Sequence, residues 1–143
     1  MRVLVTGARG RVGSTVARGL QQRGHHVRAH DVVPCPDFAD SVISDLSDFS
    51  AVLAAMEGMD AVIHLGGDPG GGASTELDGS DGSWQSILQS NIIGSYNVFE
   101  AARQAGTKRI AYASRVSSSR QAFSSLYLAY SVSCAGAAHR QVF

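Results

Sequence analysis

The amino-terminal stretch Met1-Arg-Val-Leu-Val-Thr-Gly-Ala-Arg-Gly-Arg-Val-Gly13 constrains the fold more than any other part of the chain. Val3, Leu4 and Val5 form a short apolar run, as expected of a strand buried on both faces. Gly7, Gly10 and Gly13 follow in the spacing G-x-x-G-x-x-G, after which Val12, Val16 and Leu20 recur at helical intervals. Strand, glycine turn and helix together are the setting in which such a triplet has meaning. Gly7 permits a turn that a side chain would obstruct, Gly10 lets backbone approach a ligand, and Gly13 lets the helix pack closely on the strand. A helix N-terminus presents free N–H groups and a dipole that attract an anion such as a pyrophosphate, although the dipole alone contributes only about 0.3–2 kcal/mol. The competing reading is a glycine-rich turn that binds nothing.

Composition limits the alternatives. A chain of 143 residues fits one domain with a real core. The formal net charge is zero, which gives no electrostatic footprint for nucleic acid or a membrane surface. No apolar stretch reaches the roughly 20 residues of a membrane span, and the first strand leaves no room for a signal peptide. Cys35 and Cys134 lie far apart without C-x-x-C spacing, so neither a metal site nor a disulfide framework is expected. The expectation is a cytoplasmic globular protein.

The pattern beyond the glycine turn alternates between strands and helices. The first helix is predicted from Arg11 to Arg23, with Gly24 as its stop. Val27 to His30 is a second strand ending at Asp31, which lies 18 residues beyond Gly13. That separation is close to the roughly 20 expected of a carboxylate that binds an adenosine ribose. Such a carboxylate repels a 2′-phosphate by up to ~4 kcal/mol at about 4 Å and an effective dielectric near 20, favouring NAD over NADP. Arg9 and Arg11 in the glycine loop act in the opposite sense, because arginines there can receive a phosphate. A third strand is expected at Ser41 to Ser44, then a helix capped by Ser47 or Asp48 and ending near Gly58, and a fourth strand at Ala61 to Leu65. His64 is assigned no chemistry.

Gly66 to Ser83 is a long stretch rich in Gly, Ser and Asp, read as a mobile loop or a substrate-facing lid. Ser83 caps a helix predicted from Trp84 to about Ala105, with Ile87, Leu88, Ile92, Val98 and Phe99 on its apolar face. Arg109 to Ser114 is a fifth strand. The expected architecture is α/β, a doubly wound parallel sheet of Rossmann type with five strands.

With these pieces placed, residues 1–114 resemble the extended short-chain dehydrogenase/reductases, the NAD-dependent epimerase/dehydratase family. The resemblance is carried by Thr6-Gly-Ala-Arg-Gly-Arg-Val-Gly13, Asp31, Asp45-Leu46, Ala61-Val-Ile-His-Leu-Gly-Gly67 and Asn91-Ile-Ile-Gly-Ser-Tyr-Asn-Val-Phe-Glu-Ala-Ala102. Within the family the closest likeness is to uronate dehydrogenases, with sugar-nucleotide epimerases as close rivals. The resemblance implies that Gly7, Gly10 and Gly13, with Arg9, Arg11 and Val12 in the same loop, bind the cofactor pyrophosphate, and that Asp31 holds the adenosine ribose. It implies that Asp45 and Leu46 flank the adenine, that Leu65, Gly66 and Gly67 lie under the cofactor, and that the Asn91 backbone helps to order a proton-relay water. A sugar or uronic acid substrate and a homo-oligomer are the implied partners.

The likeness ends at the fifth strand. Ser114 matches the first serine of the family's pair, but Arg115 stands where the substrate-polarising residue belongs. Lys108 is the only lysine, and none of Tyr96, Tyr112, Tyr127 and Tyr130 has a lysine four places on, so the family's Tyr-x-x-x-Lys is missing. That lysine lowers the tyrosine pKa so that a phenolate can take the substrate's proton. Residues 115–143 contain no Asp, Glu or Lys and are read as an atypical tail, helical over Phe123 to Ala138 or disordered, of truncated or out-of-frame origin. Three expectations compete: an NAD-binding member of an oxidoreductase lineage, inactive as this chain; a non-catalytic dinucleotide-binding module or sensor; and an unstable fragment.

Overall fold

A computed structural model of the chain describes residues 1–68, 83–114 and 127–128. The elements in order are β1 (Arg2–Thr6), α1 (Arg11–Gln22), β2 (His26–Asp31), β3 (Asp40–Ile43), α2 (Phe49–Met56), β4 (Ala61–His64), α3 (Trp84–Ile87), a π-helical turn (Leu88–Ile93), α4 (Gly94–Gln104), β5 (Arg109–Ser114) and the two-residue β6 (Tyr127–Leu128). The sheet order is β3-β2-β1-β4-β5-β6. The first five strands are parallel. This is the doubly wound arrangement expected from the alternating pattern, with the order reversing between β1 and β4. β6 adds an antiparallel ladder of Ala113 with Leu128 and Ser114 with Tyr127. Tyr127 and Leu128 are therefore strand rather than the expected helix, because backbone pairing with β5 is available to them. The rest of the tail lies outside the described residues.

Strand alternation divides the core in two. Leu4, Val62 and Ile110 are neighbours across β1, β4 and β5, and pack with Val52, Ala55 and Met56 of α2 and Val98, Ala101 and Ala102 of α4. Val3, Val5, Val27 and Ala29 face the other way, toward Ala17 and Leu20 of α1. Burial on both faces is the reason the strands read as continuous apolar runs rather than alternating ones.

Local signals set most boundaries. The Asp48 side chain accepts a hydrogen bond from the Ala51 amide at 3.1 Å and starts α2. Ser83 does the same for α3 through the Ser86 amide, also at 3.1 Å. Two expectations are corrected. The long helix is not uniform, since Leu88 to Ile93 winds as a π-helix between two α-helical parts. The wider turn shifts the angular phase of side chains ahead of Gly94, so Ile92 is 52% exposed and does not join the apolar face. Val12, taken as the start of the α1 apolar face, is also exposed, at the first turn of that helix.

Gly13 packs on the first glycine of the turn with no room for a side chain. A Cβ there would lie 1.9 Å from the Gly7 carbonyl oxygen. Gly19 sits on the same helix with only the flexible end of Arg23 nearby, at 3.4 Å. Gly13→Ala is expected to cost about 1–3 kcal/mol or more through overpacking. Gly19→Ala is expected to stabilise by about 0.5–1 kcal/mol through helix propensity. Urea denaturation of the two variants checks both signs.

Candidate functional site

The carboxyl ends of β1, β2 and β4 meet at the reversal of strand order, where a ligand crevice forms in this architecture. Gly7 leaves β1 with φ of 67°, a conformation that disfavours any side chain. Its carbonyl accepts from the Gly10 amide at 3.0 Å, closing the turn, and the Gly10 carbonyl then accepts from Ser14 at 2.9 Å. Gly10 is the N-cap of α1 and supplies no side-chain cap, and the first turn holds no acidic residue. The amide end of a 12-residue helix thus has neither a side-chain cap nor a first-turn acid, and it is flanked by the exposed Arg9 and Arg11.

Asp31 is at the end of β2 beside this turn. One carboxylate oxygen accepts from the Arg9 amide and the other from the Val32 amide, each at 2.8 Å. The carboxylate thereby ties the glycine loop to the neighbouring strand. Each oxygen keeps acceptor capacity, since a carboxylate offers about four lone-pair sites. A ribose diol donating two hydroxyl protons matches that remaining capacity.

The floor of the crevice is the exit from β4. Gly66 presses against the first turn so closely that a Cβ on Gly7 would meet the Gly66 nitrogen and the Leu65 carbonyl carbon, both at 2.7 Å. A Cβ on Gly66 would lie 2.8 Å from the Leu46 side chain, and one on Gly67 would lie 2.7 Å from the Asn91 amide oxygen. Leu46 is buried in the core, and its carbonyl accepts from the Asn97 side chain at 2.9 Å, as does that of Ser47 at 3.0 Å. Asp45 is exposed and caps its own turn by accepting from the Ser47 amide at 2.8 Å. Of this pair, Asp45 is the side chain available at the rim.

Asn91 lies in the π-helical turn, and its side chain is engaged rather than free. It accepts from the Asp68 amide at 2.7 Å and donates to the Asp68 carbonyl at 2.9 Å, holding the Asp68 backbone as a strand partner would. The buried Asp68 carboxylate accepts from the Ser86 hydroxyl. Ser114 ends β5, but its side chain and Arg115 lie outside the described residues, as do residues 69–82.

Sequence reading attached no chemistry to the row of polar side chains under this crevice. Thr6, His30, His64 and Tyr112 are neighbours across β2, β1, β4 and β5, with Thr6, His30 and His64 fully buried. The Thr6 hydroxyl accepts from the Leu65 and Gly66 amides, both at 3.2 Å. Its two lone pairs are then occupied, so its single proton is donated to His64 Nδ1 at 2.7 Å. The neutral ring carries its proton on Nε2 and donates to the Ser95 hydroxyl of α4 at 3.1 Å. Burial, reinforced by charge repulsion from His30, pushes the His64 pKa down to about 4, in keeping with this tautomer. Burial also lowers the His30 pKa, partly offset by Asp31 and Asp45. His30 Nε2 meets the Ser44 hydroxyl at 2.7 Å, while its Nδ1 has no partner among the described residues. A period-2 strand pattern containing His and Thr was the available signal, but it does not reveal which groups meet.

Among the described residues no helix is long and apolar enough to cross a membrane, and no group of three or more His, Cys, Asp or Glu is placed to hold a metal ion.

A sequence model described as the NAD dependent epimerase/dehydratase family matches residues 3–120. The chain is 38% identical over 117 residues to a uronate dehydrogenase from Pseudomonas putida, covering 79% of this chain and 40% of the relative. It is 37% identical over 126 residues to a 2-alkyl-3-oxoalkanoate reductase from Stenotrophomonas maltophilia, covering 85% of this chain and 36% of the relative. A crystal structure of a mutant uronate dehydrogenase from Agrobacterium tumefaciens complexed with NAD superposes with a TM-score of 0.65 and 40% identity, covering 79% of this chain and 40% of that one. The chain thus spans about two-fifths of the length of the relatives it matches.

The buried imidazoles make stability depend on pH in a definite direction. A group that binds its proton less readily when folded leaves the unfolded chain with more protons, so stability rises with pH. For His64 the window runs from about 4, its folded value, to its ordinary 6.5. His64 alone is expected to make the protein about 2 kcal/mol less stable at pH 5 than at pH 7.5, with His30 adding in the same direction. Urea denaturation at the two pH values checks this. His64→Asn is expected to lessen the slope.

Proposed function

The chain belongs to the NAD dependent epimerase/dehydratase family, and from that premise we propose that residues 1–114 form a domain that binds NAD across the carboxyl ends of β1, β2 and β4. The observation that carries the reading is the uncapped amide end of α1 beside Asp31, joined to it through the Arg9 amide. In this reading Gly7, Arg9, Gly10, Arg11, Val12 and Gly13 surround the pyrophosphate, and Asp31 accepts from the adenosine ribose hydroxyls. Asp45 and the backbone of Leu46 border the adenine, and Leu65, Gly66 and Gly67 lie beneath the cofactor. The residues suit the group, because side chains at Gly7, Gly13, Gly66 and Gly67 would collide with backbone or neighbouring side chains that shape the cradle. A bound nicotinamide supplies a position that accepts or releases hydride.

By lineage the site belongs to an oxidoreductase acting on a sugar or uronic acid, as supported by the uronate dehydrogenase relatives. The 143 residues contain no Tyr-x-x-x-Lys to take the substrate proton. We infer that this chain by itself binds the dinucleotide without turning over a uronate. The same absence favours a second reading, a non-catalytic dinucleotide-binding module or sensor. Residues 115–143 are proposed to be a tail that follows the dinucleotide domain and meets its sheet where Tyr127 and Leu128 pair with β5.

Isothermal titration is expected to give saturable NAD binding, with NADP at least tenfold weaker because its 2′-phosphate meets the Asp31 carboxylate. Asp31→Asn, which removes the charge and keeps an acceptor, is expected to narrow that gap. No galacturonate- or glucuronate-dependent NADH should form. Absence of saturable binding by a folded chain would overturn the assignment, and uronate-dependent NADH would overturn the inactivity.

A further inference from the structure

We propose that His64 is a positioning residue for the dinucleotide site, acting through the Thr6 hydroxyl on the Gly66 amide. The inference rests on the dinucleotide-binding reading above but has a readout that does not need the ligand. Thr6 immediately precedes Gly7, the residue that starts the glycine turn. Its hydroxyl also holds the first two amides after β4, those of Leu65 and Gly66. Both walls of the crevice floor are therefore referred to one side chain.

That hydroxyl does this only while its proton is taken elsewhere. His64 Nδ1 is the acceptor, at 2.7 Å, and the Ser95 hydroxyl receives the Nε2 proton at 3.1 Å and holds the ring in that tautomer. Tyr112 stacks on the ring from β5 at a centroid distance of 5.4 Å and limits its rotation. Without the Nδ1 acceptor the hydroxyl proton has to share the space of the two amide donors, and one amide loses its partner. The Leu65 amide has a second acceptor in the Thr6 carbonyl at 3.2 Å, so the Gly66 amide is the one left exposed to the loss. Gly66 also lies directly against Gly7, where a Cβ would come within 2.7 Å of its nitrogen. A shift of Gly66 thus changes the space offered to a diphosphate above Gly7, and displacements of about 1 Å are enough to impair a preorganised site.

The test compares substitutions that keep or remove one hydrogen-bonding function. Asparagine places its amide oxygen near the position of Nδ1, so His64→Asn keeps the acceptor for Thr6, whereas His64→Leu removes it. Thr6→Ser keeps the hydroxyl and Thr6→Val removes it at similar volume. In the full chain, hydrogen exchange at the Gly66 amide is expected to quicken about tenfold or more in His64→Leu and Thr6→Val, and to stay within about threefold of wild type in His64→Asn and Thr6→Ser. NAD affinity, measured by isothermal titration, is expected to follow the same division, with about a tenfold loss in the first pair. A merely structural role for His64 would lower stability in both His64 variants without separating them in Gly66 exchange or affinity, and that outcome overturns the proposal. If His64→Leu does not fold, the Thr6 pair decides by the same criterion. If wild type binds no NAD, the reading of the function fails, while Gly66 exchange still decides whether His64 controls the floor.

Discussion

The contact of Gly13 with the Gly7 carbonyl is the constraint on which the site depends. A helix separated from a buried strand by only four residues must cross that strand at very short range, and only a residue without a side chain allows it. Once α1 is seated, its amide end points over the carboxyl ends of the strands, and the Arg9 amide falls within reach of Asp31. The uncapped helix end and the Asp31 carboxylate are thus parts of one geometry. The turn also presses on Gly66, which carries the same limit across to β4.

Under that crevice the sheet departs from an apolar interior. A row of Thr6, His30 and His64 is buried at the strand ends, where the polar backbone of the glycine turn and the β4 exit needs partners. The Thr6–His64–Ser95 chain supplies partners for the two amides at the β4 exit, and it links β1, β4 and α4. Burial keeps the His64 ring neutral, which is the form in which Nδ1 can accept. Stability in acid is given up for a defined floor to the crevice.

Much of the scaffold was legible because local rules agreed with the tertiary result. Val3 to Val5 read as a strand buried on both faces, and two separate cores cover it. Asp48, Ser83 and Gly24 mark helix ends by side-chain acceptance or a positive φ, and these effects act within a few residues. The long helix was less legible at its centre. A π-helical turn leaves no mark in the hydrophobic period, so nothing along the chain separates the exposed Ile92 from the apolar face. Asn91 in that turn read as a family position, but its two bonds to the Asp68 backbone join residues 23 apart and no spacing rule foretells them.

The amino-acid sequence by itself determined the strand–turn–helix order, the glycine spacing, the carboxylate at the end of the second strand and the lack of a Tyr-x-x-x-Lys, because each is a matter of residue type at short range or of plain absence. Tertiary structure alone decided which polar groups share protons. Thr6 and His64 lie 58 residues apart and meet only because parallel pairing sets β1 beside β4 in one register. The Leu46 side chain is buried because Gly66 and Gly94 leave a space that it fills. Register and packing are collective, and for that reason they are settled in space rather than along the chain.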